Sequence, residues 1–343
     1  MFFSLSDIRK KMFLKPLKIK NLVIDPPLFC APMAGITHSA FRRLASDFGS
    51  YGALFTEMLS GRALLHERIG GTPFTKRRAC EGVVWYQLAL NGEEDIPVII
   101  DRLKTITPAA IDINAACPAP EILHQGLGAA LFRDLNRFTK TISSVRRCWD
   151  GPLTVKCRLG DESPHWRESL KERFKIMEAE GVDGVILHPR FFSEKLKRKA
   201  RWELFDWATS ETSLPVIANG DMVSVKQIED GRSMLSTVSG LMVGRMSIVK
   251  PWIFSEIAGK PVAVDFISAW SSLYDYILED FSREKALGRI KEYSKYFAQN
   301  FLFGHEMYRK IQTACSLEIL RENAMRFLES DPKTTGYPTV LGL

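Results

Sequence analysis

Eight short apolar runs recur between residues 28 and 245, separated by polar loops and amphipathic stretches. Alternation of this kind implies βα units and a parallel sheet. The runs cover residues 28–33, 53–57, 83–88, 111–114, 153–158, 185–188, 215–221 and 240–245. Eight is the number that closes a parallel barrel, whose active sites gather at the carboxyl ends of the strands. Most of these runs end on a group able to do chemistry: Glu57, Gln87, Asn114, Arg158, His188, Asn219 and Arg245. In the fifth run, alternation puts Lys156 and Arg158 on one face and Val155 and Cys157 on the other. The competing architecture, an open doubly wound sheet, would carry a glycine-rich first turn, and no GxGxxG follows a strand here.

The strand signals stop after Trp252. From 265 to about 329, Phe266, Trp270, Leu273, Tyr276, Ile277, Tyr293, Phe297 and Phe301 recur at helical spacing. The chain's 343 residues also exceed the roughly 250 that such a barrel needs. The expected fold is therefore α/β: a parallel (β/α)8 TIM barrel over 1–262, followed by a small C-terminal all-helical domain over 263–343. That domain should have about four helices and a loose tail from 331. Near the start of the barrel, Gly35 allows close backbone approach to a ligand, and Thr37 is expected to cap the helix through Phe41, Leu44 and Phe48.

The formal charge is +7, a modest bias towards a polyanionic partner. A dense basic run, from Lys195 through Lys197, Arg198 and Lys199 to Arg201, follows the sixth strand on the mouth side. Arg283, Lys285, Arg289, Lys291, Lys295, Arg309 and Lys310 add charge to the helical segment. The six cysteines lack CxxC spacing, which argues against a zinc site or disulfide framework and fits a reducing compartment. No run approaches the ~18 apolar residues of a membrane span, and the start of the chain has no leader pattern. The expectation is a cytoplasmic, monomeric enzyme with no metal and no membrane partner.

Five motifs stand in order: Ala31-Pro-Met-Ala-Gly-Ile-Thr37 with Phe41-Arg42; Asp112-Ile-Asn-Ala-Ala-Cys-Pro118; Thr154-Val-Lys-Cys-Arg158; Asn219-Gly-Asp221; and Gly244-Arg245 with Pro251-Trp252. Together they resemble the tRNA-dihydrouridine synthases, and the helical segment resembles that family's RNA-binding domain. The resemblance implies FMN in the barrel, NADPH as reductant and a uridine of folded tRNA as substrate. The sequence departs from the family pattern at His38, usually Asp. It departs again at Pro120-Glu121, where a Lys is common, and in the stretch from Phe191 to Arg201. These departures bear on which nucleotide is chosen, not on the reaction class.

Reduction of a 5,6 double bond needs a hydride at one carbon and a proton at the other, and a neutral thiol can give the proton. On the resemblance, Cys117 is that donor, to C5, with hydride going to C6. The other five cysteines are assigned to packing. Gln87 would pair with the pyrimidine edge of the flavin, and Lys156 would stabilise its reduced anion. Pro32, Met33 and Ala34 would lie against the ring. The phosphate would fall to Asn219, Gly220, Asp221, Gly244 and Arg245, because barrels commonly bind phosphate after strands seven and eight. His188 and Arg190 suit either the phosphate side or the uracil edge. Asn114 and Arg158 could meet the base, and Glu57 could orient a cation or form a salt bridge at the mouth. Lys195, Lys197, Arg198 and Lys199 would track the RNA backbone. The alternatives are a flavin barrel reductase of a free pyrimidine or enone, a synthase acting on ribosomal RNA, and an RNA-binding protein without catalysis.

Overall fold

The computed structural model describes residues 14–336, 338 and 340. The start of the chain, where no leader pattern is expected, lies outside these residues up to position 13. Strands β1 (Leu17–Ile19) and β2 (Leu22–Ile24) form an antiparallel hairpin. The barrel strands are β3 (Leu28–Cys30), β4 (Ala53–Phe55), β6 (Val84–Ala89), β7 (Ala110–Ala115), β8 (Leu153–Arg158), β9 (Gly184–His188), β10 (Val216–Asn219) and β11 (Gly240–Val243). A two-residue strand, β5 (Leu59–Ser60), also runs along β6. All barrel pairings are parallel, and β3 pairs with both β4 and β11, so the eight strands close on themselves.

Each expected run forms a strand with an apolar outward face, and all but β8 also place an apolar residue in the cluster inside the barrel. Inside the barrel, Phe29 meets Phe55 and Trp85 edge-on and Phe55 meets Trp85 tilted, at 5.2 to 6.5 Å between ring centroids. Outside it, Cys30, Leu54, Tyr86, Ile113 and Val155 join the larger core under the helices. The hairpin leaves no mark in the sequence, since three-residue strands carry too little period to register. Its Leu17, Ile19 and Ile24 extend the interior cluster and plug the barrel at the end opposite the site.

The sequence predicts Thr37 as a helix cap; the structure corrects this. Helix Ser39–Phe48 is capped by His38, whose side chain accepts from the amide of Phe41. The Thr37 hydroxyl instead turns back on the chain, accepting from Met33 N at 3.0 Å. Thr37 is thereby spent on fixing the Met33–Thr37 turn at the mouth.

After the barrel come helices Phe266–Asp280, Arg283–Phe297, Gly304–Thr313 and Leu317–Leu328. They bury Trp270, Ile290, Phe297 and Leu320 among themselves. Helix Phe266–Asp280 also packs on the barrel helix Ser39–Phe48. The contact is reinforced by ion pairs from Lys76 and Arg78 to Asp280 and from Arg43 to Glu279. In the final segment, expected to be loose, described residues bond back to the fold, Lys333 to Leu302 and Thr335 to Asn300 among them. Thr334 forms a bridge with Phe301, and the carbonyl of Val340 accepts from Arg245 Nη1 at 2.6 Å.

Candidate active site

Side chains on paired residues of parallel strands face the same way. Gln87 is the partner of Asp112, Asp112 of Thr154, Asn114 of Lys156, and Arg158 of His188. A polar row therefore runs around the inside of the barrel above its aromatic floor. Thr154 Oγ1 donates to Asp112 Oδ1 at 2.6 Å, and Gln87 Nε2 donates to Asp112 Oδ2 at 2.7 Å. Asn114 Nδ2 donates to Gln87 Oε1 at 2.8 Å. Asn114 Oδ1 in turn accepts from the amides of Ala116 and Cys117 at 3.2 and 3.1 Å. Both polar ends of Gln87 are thus engaged inside the wall, and it is not among the residues that line the cleft described next.

That cleft, of about 170 Å³, opens at the carboxyl ends of β8 to β11. Its apolar side is Ala31, Pro32 and Met33, and its polar side carries four cations, Lys156, Arg158, Arg190 and Arg245, against one carboxylate, Asp221. Burial, then the nearby Arg158, pushes the Lys156 ammonium down to about 8. Among the described residues no acid comes within ion-pair distance of Lys156. A cation held in this way favours an anionic ligand that restores its charge.

Arg190 spends its donors internally. Its Nη2 meets both oxygens of Asp221, its Nη1 donates to His188 Nε2, and its Nε bonds the carbonyl of Arg198. Burial, followed by four surrounding cations, holds His188 well below its usual range, so it is neutral and accepts at Nε2. Asp221 has φ +54 and also accepts from the amide of Ala200 at 2.8 Å. It lies 3.8 Å from Arg245. Gly220, at φ +117, has no room for a Cβ, which would meet His188 and Ala200 at 2.8 and 2.9 Å. Asn219 lines the cleft and donates to the carbonyl of Met242 at 3.0 Å. Gly244 is open: nothing lies closer than 3.9 Å to a Cβ placed there.

Arg158 donates to the carbonyl of Lys195 at 2.6 Å, and burial, then Arg190, lowers it to about 10. Two arginines thus tether the basic run to the cleft. Lys197, Arg198 and Lys199 stay exposed and line a second cleft that adjoins the first at Arg190, Asp221 and Arg245. Lys195, at φ +50, is the turn at which the run leaves the barrel.

Cys117 is partly exposed, three residues beyond Asn114 and within electrostatic reach of Lys156 and Arg158. Its carbonyl accepts from the amide of Ala129 at 3.0 Å. The close return of the loop depends on Gly128, at φ +60, where a Cβ would stand 2.6 Å from that carbonyl. By contrast, burial pushes the thiols of Cys30 and Cys157 up to about 11 and 12, as inert packing cysteines require.

Two site residues fall on the opposite side of the mouth. Glu57 accepts from Gly35 N at 2.8 Å and faces Arg289 at 3.6 Å, and burial raises its carboxyl. Ala34 lines the cleft between barrel and helices together with Gly35, Phe74, Phe281 and Arg289. Among the residues missed from the sequence, Met246 and Val340 both line the first cleft. Met246 directly follows Gly244-Arg245, a signal that could have been used. Val340, almost a hundred residues from its partner Arg245, carries none.

A closed parallel barrel with a cationic, partly apolar cleft at the carboxyl ends of its strands defines a (β/α)8-barrel enzyme with a place for an anionic ligand. The family model for dihydrouridine synthases matches residues 29–329. The chain belongs to the dihydrouridine synthase family, and is an oxidoreductase of that family. It is 29% identical to a probable tRNA-dihydrouridine synthase of Rhodobacter capsulatus, over 89% of this chain and 97% of that one. It is 30% identical to a probable tRNA-dihydrouridine synthase of Rickettsia bellii, over 70% and 73% of the two chains. Among solved structures, a morphinone reductase shares the fold with a TM-score of 0.52 at 11% identity, covering 74% of this chain and 92% of that one.

Proposed function

We propose that this protein is a tRNA-dihydrouridine synthase that holds FMN in the cleft beside Lys156 and reduces a uridine of tRNA, with NADPH as the source of electrons. The observation that carries this reading is the surplus of cations over carboxylates in a cleft whose other wall is Pro32 and Met33. A flat, anionic, phosphate-bearing ligand matches both halves of that lining. Lys156 would sit at the flavin's pyrimidine edge, and the backbone of Gly220 and Gly244 with Arg245 would take the phosphate. Asp221 would serve that end indirectly, by holding Arg190 and Arg245.

When bound, the flavin would supply a hydride for C6 of the uracil, with its electrons drawn from NADPH. The chain's own groups do the rest. Cys117 holds a proton at Sγ for C5, so that one hydride and one proton saturate the 5,6 bond. Lys156 holds positive charge where negative charge collects. Pro32 and Met33 keep water from one wall of the cleft. Arg289, oriented by Glu57, and the exposed Lys197, Arg198 and Lys199 offer cations to an RNA whose uridine is turned out towards the barrel mouth.

The test uses the purified protein, FMN, NADPH and unmodified tRNA. Cys117→Ala should retain flavin and lose most dihydrouridine formation. A Cys117→Ala enzyme with near-normal turnover removes the thiol's role. Turnover on free uracil rather than tRNA replaces the substrate class. Mapping dihydrouridine in RNA from cells lacking the protein locates the position and separates tRNA from ribosomal RNA.

A further inference from the structure

The polar row inside the barrel has a direction. At one end stand the amides of Ala116 and Cys117, which can only donate. At the other stands Asp112, fully buried, whose two oxygens take the Gln87 amide and the Thr154 hydroxyl. Between these ends lie two side-chain amides, Gln87 and Asn114, each of which could turn either way by rotation about its last bond. With an acceptor at 112, Gln87 must present its NH2 there and its oxygen to Asn114. Asn114 must then present its NH2 to Gln87 and its oxygen to the Cys117 turn.

We infer that Asp112 is a positioning residue: acting through Gln87 and Asn114, its carboxylate sets the turn that presents Cys117. The inference rests on Cys117 being the proton donor only for its activity arm. The geometry of the relay is independent of that role. Burial in a barrel is costly for a carboxylate and raises Asp112 to about 7. A group kept there at such cost, with no atom in the cleft, is explained by what it orients. If residue 112 had no acceptor, Gln87 could reverse. Asn114 would then meet donor with donor at Gln87 and lose the bond that pins it, so its oxygen would no longer be held against the N–H groups of Ala116 and Cys117. The turn would open.

Two variants test this. Asp112→Leu removes the acceptor. Gln87→Glu combined with Asp112→Asn exchanges carboxylate and amide between neighbours. The amide now at position 112 donates to the carboxylate now at position 87, which still accepts from Asn114, and no group is left unpaired. The first readout is the rate at which iodoacetamide alkylates Cys117, followed by peptide mass spectrometry so that the exposed Cys80 and Cys315 are counted separately. Asp112→Leu should alkylate several-fold faster at Cys117, with Cys80 and Cys315 unchanged, while the exchange variant stays within roughly twofold of wild type. The second readout is tRNA turnover, where Asp112→Leu should lose kcat by about ten- to a hundredfold with KM little changed, as misplacement of a reacting group does. Unchanged alkylation in a folded Asp112→Leu protein overturns the proposal. So does an exchange variant whose Cys117 alkylates several-fold faster than in the wild type, and this arm stands even if Asp112→Leu does not fold. If Cys117→Ala proves active, the activity arm falls with the functional reading, and the alkylation arm still decides the relay.

Discussion

Arg190 grips Asp221 with one nitrogen on both carboxylate oxygens, at 2.7 and 2.6 Å, while its other terminal nitrogen donates to His188 at 2.7 Å. The pair is nearly buried on the arginine side. It assigns Asp221 a task other than direct phosphate contact, which a carboxylate would oppose by repulsion. Asp221 fixes two arginines and the amide of Ala200, and so ties the basic run to the edge of the cleft.

Asp221→Ala should therefore act on the loop and the cleft together. Removing the carboxylate leaves Arg190 buried among cations, a situation that costs about 3–5 kcal/mol in a fully buried pair. Asp221 is partly open to water, so about 2–3 kcal/mol is expected here. Urea denaturation measures it, and limited proteolysis should show new cuts between 191 and 201. A variant that keeps wild-type stability and protection would show that the loop is held by Arg158 at the carbonyl of Lys195 and by Glu194, which accepts from the amide of Phe191 and pairs with Arg201.

Lys156 gives a pH signature. Burial lowers it from 10.5 to about 8 in the folded protein. Between those values the unfolded chain binds the proton and the folded protein does not. Stability must then rise with pH across that window, and the strain of burying the charged form is felt below it. In flavin-free protein, Lys156→Met should be more stable than wild type at pH 7, and the gap should narrow between about pH 8 and 10.5. Thermal unfolding of both proteins across that range checks the sign. A gap independent of pH would mean that water or a neighbour already neutralises the cost.

Much of this is legible in the chain. All eight barrel strands follow from apolar runs, and β8 matches its run end to end because its alternation places Lys156 and Arg158 on one face. The site residues can be found because a barrel gathers strand ends, which topology alone dictates. What each residue touches is not legible. Gln87 looks like a ligand contact in the sequence, yet both its polar ends bond to neighbours that only the strand register brings close, and Arg190 lines the cleft while bonding Asp221 beside it. Sequence spacing says nothing about Asp112 beside Thr154, or Arg245 beside Val340. The cap at His38 is hidden for a related reason, since a Thr before a helix usually caps it unless a tighter local turn claims its hydroxyl.

The junction between barrel and helices should respond unequally to removal of its two partners. Asp280 has a fully buried carboxylate that takes Arg78 at two oxygens and Lys76 at one. Burial pushes its carboxyl up, but the bonds from Arg78 and Lys76 outweigh this and leave it below the usual range. Its stabilising effect is therefore complete above about pH 4 and is lost as pH falls through the lowered value. Arg78→Met strands a buried anion with Lys76 alone, whereas Asp280→Ala frees cations that reach water. The arginine variant should lose about 2–4 kcal/mol and the aspartate variant less. Denaturation at about pH 7 tests the order, and a series taken down from about pH 4 tests its progressive loss in acid. Equal losses would show that the cations, too, are trapped.

The basic run offers the sharpest separation of binding from folding. Lys197, Arg198 and Lys199 expose their side chains, and the one internal bond at Arg198 is made by its carbonyl, which a substitution keeps. Changing all three to Gln should leave the stability within about 0.5 kcal/mol of wild type, as exposed sites do. If these cations meet RNA phosphates, the same variant should bind tRNA more weakly. The slope of log affinity against log salt should also flatten by about 0.7–0.9 for each phosphate that is no longer neutralised. Filter binding from about 50 to 300 mM salt reads both quantities. Weaker binding with an unchanged slope would mean that the run shapes the second cleft rather than neutralising phosphates. An unchanged affinity would move the RNA path to the other side of the mouth, where Arg289 and Lys285 line the cleft between barrel and helices.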